Sequence, residues 1–154
     1  MSIPSFFCAS LLAASLAAQC PYVSATQQSY GLPCGSVFSV PPLIAARLDV
    51  PQCTLRLQVN AYTGCCNTFL RARVVVLGLQ PTSIPLPQFG LGCTLWTQPL
   101  ASLYQPTASG DTFPIPLPPG LPPITLHAQG VGVYVTFGVQ YDLMLTDGAA
   151  ITLR

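Results

Sequence analysis

The chain has 154 residues, a net charge of +1 and only 6% charged residues against 51% hydrophobic ones. This length fits one domain, and the composition excludes a charge-rich disordered chain. Its basic residues are all Arg, and they do not form the basic stripe that nucleic-acid binding requires, so no nucleic-acid partner is expected. The low net charge permits self-association or docking on another uncharged surface.

Residues 1–18 are interpreted as a secretory signal peptide. Residues 6–18 are apolar and too short to span a bilayer, and small residues at their end suit a signal peptidase. No Lys or Arg precedes this stretch, and a buried core helix and a lipoprotein signal ending at Cys20 are the alternatives. We therefore predict a secreted or cell-envelope protein with no membrane span in the mature chain.

The cysteines that remain after the leader predict a disulfide framework. They are an even set: Cys20, Cys34, Cys53, Cys65, Cys66 and Cys93. Export makes disulfides their favoured state. Zinc binding is not expected, because the chain has no CxxC pair and a single histidine. No metal or cofactor site is predicted.

The mature chain divides into an extended N-terminal segment, residues 19–35, and one domain, residues 36–154. We predict an all-β fold, a single antiparallel β-sandwich of about seven to nine short strands. Short strands are expected at 36–40 and 43–50, on either side of a Pro-Pro pair that cannot sit inside a hydrogen-bonded ladder.

The next run alternates apolar and polar residues and predicts the most secure strand. The residues expected to face the core are Cys53, Leu55, Leu57 and Val59, and those expected to face solvent are Thr54, Arg56, Gln58 and Asn60. The apolar run 74–79 anchors a second strand that begins near Phe69. We expect the two strands to form an antiparallel hairpin, with Arg71 and Arg73 sharing the solvent face of the second strand.

That hairpin constrains the cysteine pairing. Cys53 would lie at its open end and the Cys65-Cys66 pair near its tip, about 20 Å away, which is beyond disulfide reach. Cys53 should therefore pair outside the hairpin.

Two pairings satisfy this constraint. If Cys34 pairs with Cys93, Cys53 is left for Cys20, and the two tip cysteines would close a ring between adjacent residues. In the alternative, Cys20 pairs at the tip and one thiol stays free.

Prolines alternate with apolar residues in two later segments. In the longer segment, residues 113–118, the three prolines Pro114, Pro116 and Pro118 would remove the N–H donors from one lateral side of a strand. This pattern predicts an edge strand protected against pairing with another molecule, with a polyproline-type loop as the alternative. For residues 84–87 the two interpretations are equally supported.

The C-terminal part predicts further strands. Residues 94–104 indicate one or two short strands, in which Trp96 partly joins the core. Between residues 124 and 137 the apolar residues change from even to odd numbers, and Gly130 would supply the extra residue as a β-bulge. A final hairpin is expected to turn at Asp147-Gly148, since this dipeptide suits positive φ.

Three segments carry a likeness to a known group of proteins: VLGL at 76–79, PLPQFGLGCTL at 85–95 and LHAQ at 126–129. With these segments in this order, the chain resembles a β-rich module of uncharacterised function seen in secreted proteins of planctomycete-type bacteria. The resemblance implies export, a sandwich-like domain and a bridge between Cys34 and Cys93. It implies no catalytic residue.

No catalytic constellation is evident, because G-x-S-x-G is absent and His127 is the only histidine, expected on a polar strand face. We predict a non-catalytic structural or interaction module with an envelope protein or polysaccharide as partner. The first alternative is a carbohydrate-binding module that uses Trp96, Tyr62, Tyr104 or Tyr134 against sugar rings. The second is a small secreted hydrolase centred on His127.

Overall fold

The computed structural model describes residues 20–35, 41–90 and 92–154. In chain order the strands are β1 (Ala25–Tyr30), β2 (Leu43–Asp49), β3 (Thr54–Asn60), β4 (Gly64–Cys65), β5 (Thr68–Gly78), β6 (Pro81–Pro85), β7 (Thr94–Thr97), β8 (Ala101–Pro106), β9 (Thr112–Pro116), β10 (Ile124–Thr136) and β11 (Gln140–Leu153). The predicted signal peptide and the predicted strand at 36–40 lie outside the described residues.

The strands form two antiparallel sheets and a two-stranded ribbon. The larger sheet has the order β1-β11-β10-β5-β4, with β8 also paired to β5, and the smaller sheet has the order β2-β3-β9. Apolar side chains from both sheets meet in one core, in which Leu55, Leu57, Val75 and Ile151 are fully buried. The chain is therefore all-β and consistent with the predicted sandwich.

The β6–β7 ribbon lies on the outer face of the larger sheet, the face turned away from the smaller sheet. The Gln129 side chain on β10 fixes it, because its Oε1 accepts from the Trp96 backbone N–H at 2.8 Å and its Nε2 donates to the Thr94 carbonyl at 3.2 Å. The region 94–104, where one or two strands were predicted, contains β7 and most of β8.

Strand β3 confirms the predicted alternation, since Leu55, Leu57 and Val59 are fully buried. Cys53 precedes the strand and packs against the same core. Thr54 is the exception, because it is buried where we expected exposure.

The predicted hairpin between β3 and the following long strand is wrong. β3 pairs with β2 and β9, whereas β5 pairs with β4, β8 and β10 in the other sheet. Alternation in the sequence shows which face of a strand is apolar but not which strand lies beside it. The two apolar faces meet across the core.

The predicted turn at Asp147-Gly148 is also wrong, because β11 runs through it without reversing. The hairpin is formed by β10 and β11 and turns at residues 137–139. Two neighbouring pairs near Asp147 show the bulge: Val131 pairs with Leu145, and Gln129 pairs with Gly148. Between these pairs β11 advances by three residues and β10 by two. The bulge therefore lies at the predicted level, but its extra residue belongs to β11 and not to Gly130.

Two strand edges show how the fold limits unwanted pairing. β9 is an edge strand as predicted, with Pro114 and Pro116 exposed and Phe113 buried. The free edge of β2 is bridged by Gln27 of β1, which donates to the Ile44 carbonyl at 2.9 Å and accepts from the Ala46 N–H at 2.8 Å. The shorter proline segment forms the end of β6, followed by a 3-10 turn at Pro87–Phe89.

Two disulfides join the N-terminal segment to the body. Cys20 is bonded to Cys53 and Cys34 is bonded to Cys93. The first predicted pairing is therefore correct for these two bonds, and its alternative, Cys20 paired with a tip cysteine, is not observed. Both tip thiols are free, so the ring expected between them is not formed in the structure.

Candidate binding surface

The outer face of the larger sheet contains an open groove of about 680 Å³ next to the part covered by the ribbon. Its floor is one row of paired residues on three neighbouring strands: Pro106 of β8, Ala72 of β5 and Val133 of β10. Tyr104 and Tyr141 flank this low floor, with 69% and 73% of their surface exposed. We call this surface the tyrosine groove.

The groove depends on a β-bulge in β5 at Arg71. Tyr134 of β10 pairs with Leu70, and the preceding Val133 pairs with Ala72, so Arg71 is the extra residue of β5. The bulge reverses which residues face the core, because Leu70 is buried before it and Arg73 and Val75 are buried after it. Arg71 is consequently exposed beside the groove, and the prediction that Arg73 shares its solvent face is wrong.

Arg73 instead connects the two sheets from the inside. It is only 6% exposed, and its Nε donates to the Val59 carbonyl at 3.1 Å while its Nη1 donates to the Gly110 carbonyl at 2.9 Å. The neighbouring Asp111 accepts from the Gln58 side chain at 2.8 Å. That hydrogen bond, helped by a second from Thr112 and by the Arg73 charge, lowers the pKa of Asp111.

Tyr134 does not belong to the binding surface, contrary to our prediction. It is fully buried with Leu70 and Met144 beneath the groove, and its burial raises its pKa to about 12. Because β10 itself contains no extra residue at Gly130, its even-numbered side chains keep facing inward along the whole strand. The aromatic residue that takes part in the groove and was missed is Tyr141.

Trp96 and Tyr62 lie elsewhere. Trp96 is half-buried against Gly31, where an added Cβ would overlap the indole, and its Nε1 donates to the Leu32 carbonyl at 3.0 Å. This arrangement agrees with a partial core role. Tyr62 is about half exposed on the crossing between β3 and β4 and does not line the groove. Of the four predicted aromatic residues, only Tyr104 contributes to it.

His127 lies under the ribbon and not on the open surface that we predicted. It is half-buried, and its Nδ1 lies 3.1 Å from the Tyr30 hydroxyl, which donates to the Trp96 carbonyl at 3.0 Å. Burial lowers the pKa of His127. No carboxylate hydrogen-bonds this histidine in the part of the chain that the structure describes. Its contacts join β1, β10 and the ribbon.

Two tight turns lie side by side at one end of the larger sheet. Cys66 and Asn67 form the turn between β4 and β5, and the Phe137 N–H donates to the Asn67 carbonyl at 2.9 Å. Cys65 and Cys66 are both exposed, as are Phe137 and Val139. We call these four residues the turn end.

Comparisons with known proteins give no assignment, since no family model, curated protein or solved structure matches the chain. Among the described residues, no helix is long and apolar enough to cross a membrane, and no three His, Cys, Asp or Glu side chains cluster as a metal ion would need. The resemblance to the secreted planctomycete-type module stays a prediction. Functional proposals therefore rest on the groove and the turn end.

Proposed function

We propose that the protein is a non-catalytic interaction module of the cell envelope or extracellular space and that the tyrosine groove is its contact surface. The observation that carries this proposal is the pair of tyrosines, Tyr104 and Tyr141, held largely exposed on opposite sides of one groove. Large aromatic side chains with an apolar body and a polar tip are enriched at recognition sites.

The gain available from covering these tyrosines is substantial. A Tyr side chain has roughly 200 Å² of surface, so the exposed parts of Tyr104 and Tyr141 amount to roughly 280 Å². Because complete burial of a large apolar side chain contributes about 1.5–3 kcal/mol, covering the exposed parts of both tyrosines contributes about 2–4 kcal/mol before the cost of association is subtracted. Arg71 is the charged residue of the groove and would orient a partner through hydrogen bonds.

Location outside the cytoplasm is supported by the covalent structure. The two disulfides link residues 33 and 59 positions apart in the sequence. Such bonds form and persist in oxidising compartments and are rare in the cytosol. A secreted or envelope protein with a cleaved leader fits this chemistry.

A polysaccharide is the second candidate partner. Tyr104 lies on β8 and Tyr141 on β11, with β5 and β10 between them, so the two strands are about 14 Å apart. The two tyrosines are also offset along the strands by about 13 Å, because their rows cross β10 at Val131 and Val135. This separation suits an extended chain that contacts one tyrosine near each end. The row of Pro106, Ala72 and Val133 between them leaves room for rings to lie against the floor.

Binding to purified wall polysaccharide and to envelope protein can be compared with matched variants. We expect the Tyr104→Ala/Tyr141→Ala double variant to weaken binding to the true partner by at least tenfold. Tyr62→Ala, at an exposed tyrosine outside the groove, should bind like the wild type. Equal binding by both variants would refute the groove as the contact surface, and retention on polysaccharide alone would favour the second candidate.

A further inference from the structure

The free thiols of the turn end are unusual within this chain. The other cysteines of the described part are joined in disulfides, whereas Cys65 and Cys66 are exposed and unbonded. Adjacent residues have Cα atoms about 3.8 Å apart, below the roughly 4.4 Å at which disulfides usually begin. Geometry therefore disfavours a bond between the two neighbours and leaves both thiols accessible to another molecule.

Phe137 has no evident reason to occupy its position in the isolated fold. Its φ is 51°, in the left-handed region, where a bulky side chain is disfavoured and Asn or Gly is usual. Its side chain is also 72% exposed, and that of Val139 is 80% exposed. Neither the turn nor the core benefits from these apolar side chains, which indicates that they contact something outside the chain.

The thiols and the apolar side chains belong to one fixed surface. Besides the bond from the Phe137 N–H to the Asn67 carbonyl, the hydroxyls of Thr68 and Thr136 lie 3.0 Å apart and join the two hairpins. Residues 64–67 and 137–140 contain no charged side chain, and the adjacent Asp142 carboxylate is engaged within its own chain, where it accepts from Thr136 at 3.0 Å and from Gln140 at 3.4 Å. Two copies of this surface would consequently meet with little electrostatic repulsion.

We propose that the turn end is the contact face between two copies of this chain, linked by disulfides between their Cys65-Cys66 pairs. A two-fold axis through the turn end places the same surface on both sides, so that each thiol pair faces a thiol pair. This inference goes beyond the proposed function, since the tyrosine groove lies on the open face of the sheet and would stay accessible in such a dimer.

The apolar area explains why the link has to be covalent. Phe137 and Val139 of the turn end each expose more than half of their surface, roughly 250 Å² per copy if an aromatic side chain has about 200 Å². Two copies would bury about 500 Å² of this apolar surface, below the roughly 1,200 Å² of stable interfaces. Contact through the turn end is therefore weak and short-lived until a disulfide forms.

Each link forms by thiol–disulfide exchange with a small disulfide oxidant such as oxidised glutathione. The thiolate of one copy attacks the oxidant and releases one reduced glutathione, and the thiol of the second copy then displaces the other glutathione. Two thiols are oxidised to one disulfide while one oxidised glutathione is reduced to two thiols. No other co-reactant is needed.

The test equilibrates the purified protein in glutathione buffers of increasing oxidised fraction and measures its mass by light scattering. We expect a monomer in mildly reducing buffer, with both structural disulfides intact by mass spectrometry, and a dimer in oxidising buffer. Peptide mapping should find residues 65–66 of two copies joined. The Cys65→Ser/Cys66→Ser variant should stay monomeric at every ratio.

A second pair of variants separates contact from folding. Phe137→Asn suits the positive φ of the turn, so we expect it to melt no lower than the wild type but to form dimer at least tenfold more slowly. Leu100→Asn, at an equally exposed apolar residue away from the turn end, should dimerise normally. The proposal fails if the oxidised protein stays monomeric, if other cysteines form the link, or if Phe137→Asn dimerises like Leu100→Asn.

Discussion

Replacing Arg73 by Met tests how the two sheets are held together around the groove. The substitution keeps much of the side-chain volume but removes both hydrogen bonds to the Val59 and Gly110 carbonyls. Hydrogen bonds from a charged donor contribute about 1.5–3 kcal/mol each, and the carbonyls would lose their partner in a buried site. Relief from burying a cation offsets part of this loss. We expect Arg73→Met to lower the free energy of unfolding by about 2–4 kcal/mol.

Urea unfolding followed by far-UV circular dichroism measures this change. The matched control is Arg71→Met, two residues earlier on the same strand, where the side chain is exposed at the groove. Its unfolding free energy should stay within about 0.5 kcal/mol of the wild type. If Arg73→Met were as stable as this control, the buried guanidinium would not be what joins β5 to the smaller sheet.

Three further changes probe other parts of the structure. Because the folded-state pKa of Asp111 is lowered, its contribution to stability is present above the unfolded pKa of about 4 and is lost as the pH falls through the folded pKa. Asp111→Asn should therefore flatten the acid limb of a stability–pH profile, and an unchanged limb would contradict this. Gly130→Ala would place a Cβ 3.0 Å from Val59 and should cost about 1–3 kcal/mol in urea unfolding; a neutral result would show that the core yields easily. The hydrogen bond that the protonated Cys65 thiol makes to Cys66 raises the pKa of Cys65, so Cys66→Ala should speed alkylation of Cys65 at pH 8, with an equal or slower rate as the contrary result.

Features that depend on a single strand were predicted correctly. The alternation over Leu55, Leu57 and Val59 shows the inner face of β3 without reference to any neighbour. The prolines at 114 and 116 mark β9 as an edge strand for the same reason, because a missing N–H is a property of the residue itself.

Features that depend on a partner strand were not predictable in the same way. The bulges at Arg71 and near Asp147 exist only relative to the register of β10, and each changes which side chains face inward. The misplaced Arg73 and Tyr134 both follow from them. For the groove, the sequence indicated Tyr104 but missed Tyr141, because the position of Tyr141 beside the groove depends on the pairing of β11 with β10.

The central claim, that the tyrosine groove contacts a partner outside the cytoplasm, is tested most directly by site-specific photo-crosslinking in the producing cells. A photoreactive phenylalanine analogue at position 104 lies in the groove, and the same analogue at position 62 serves as the control. We predict one discrete crosslinked product from an envelope fraction at position 104 and none at position 62. The claim would be contradicted by a product at position 62 alone or by identical products at both positions.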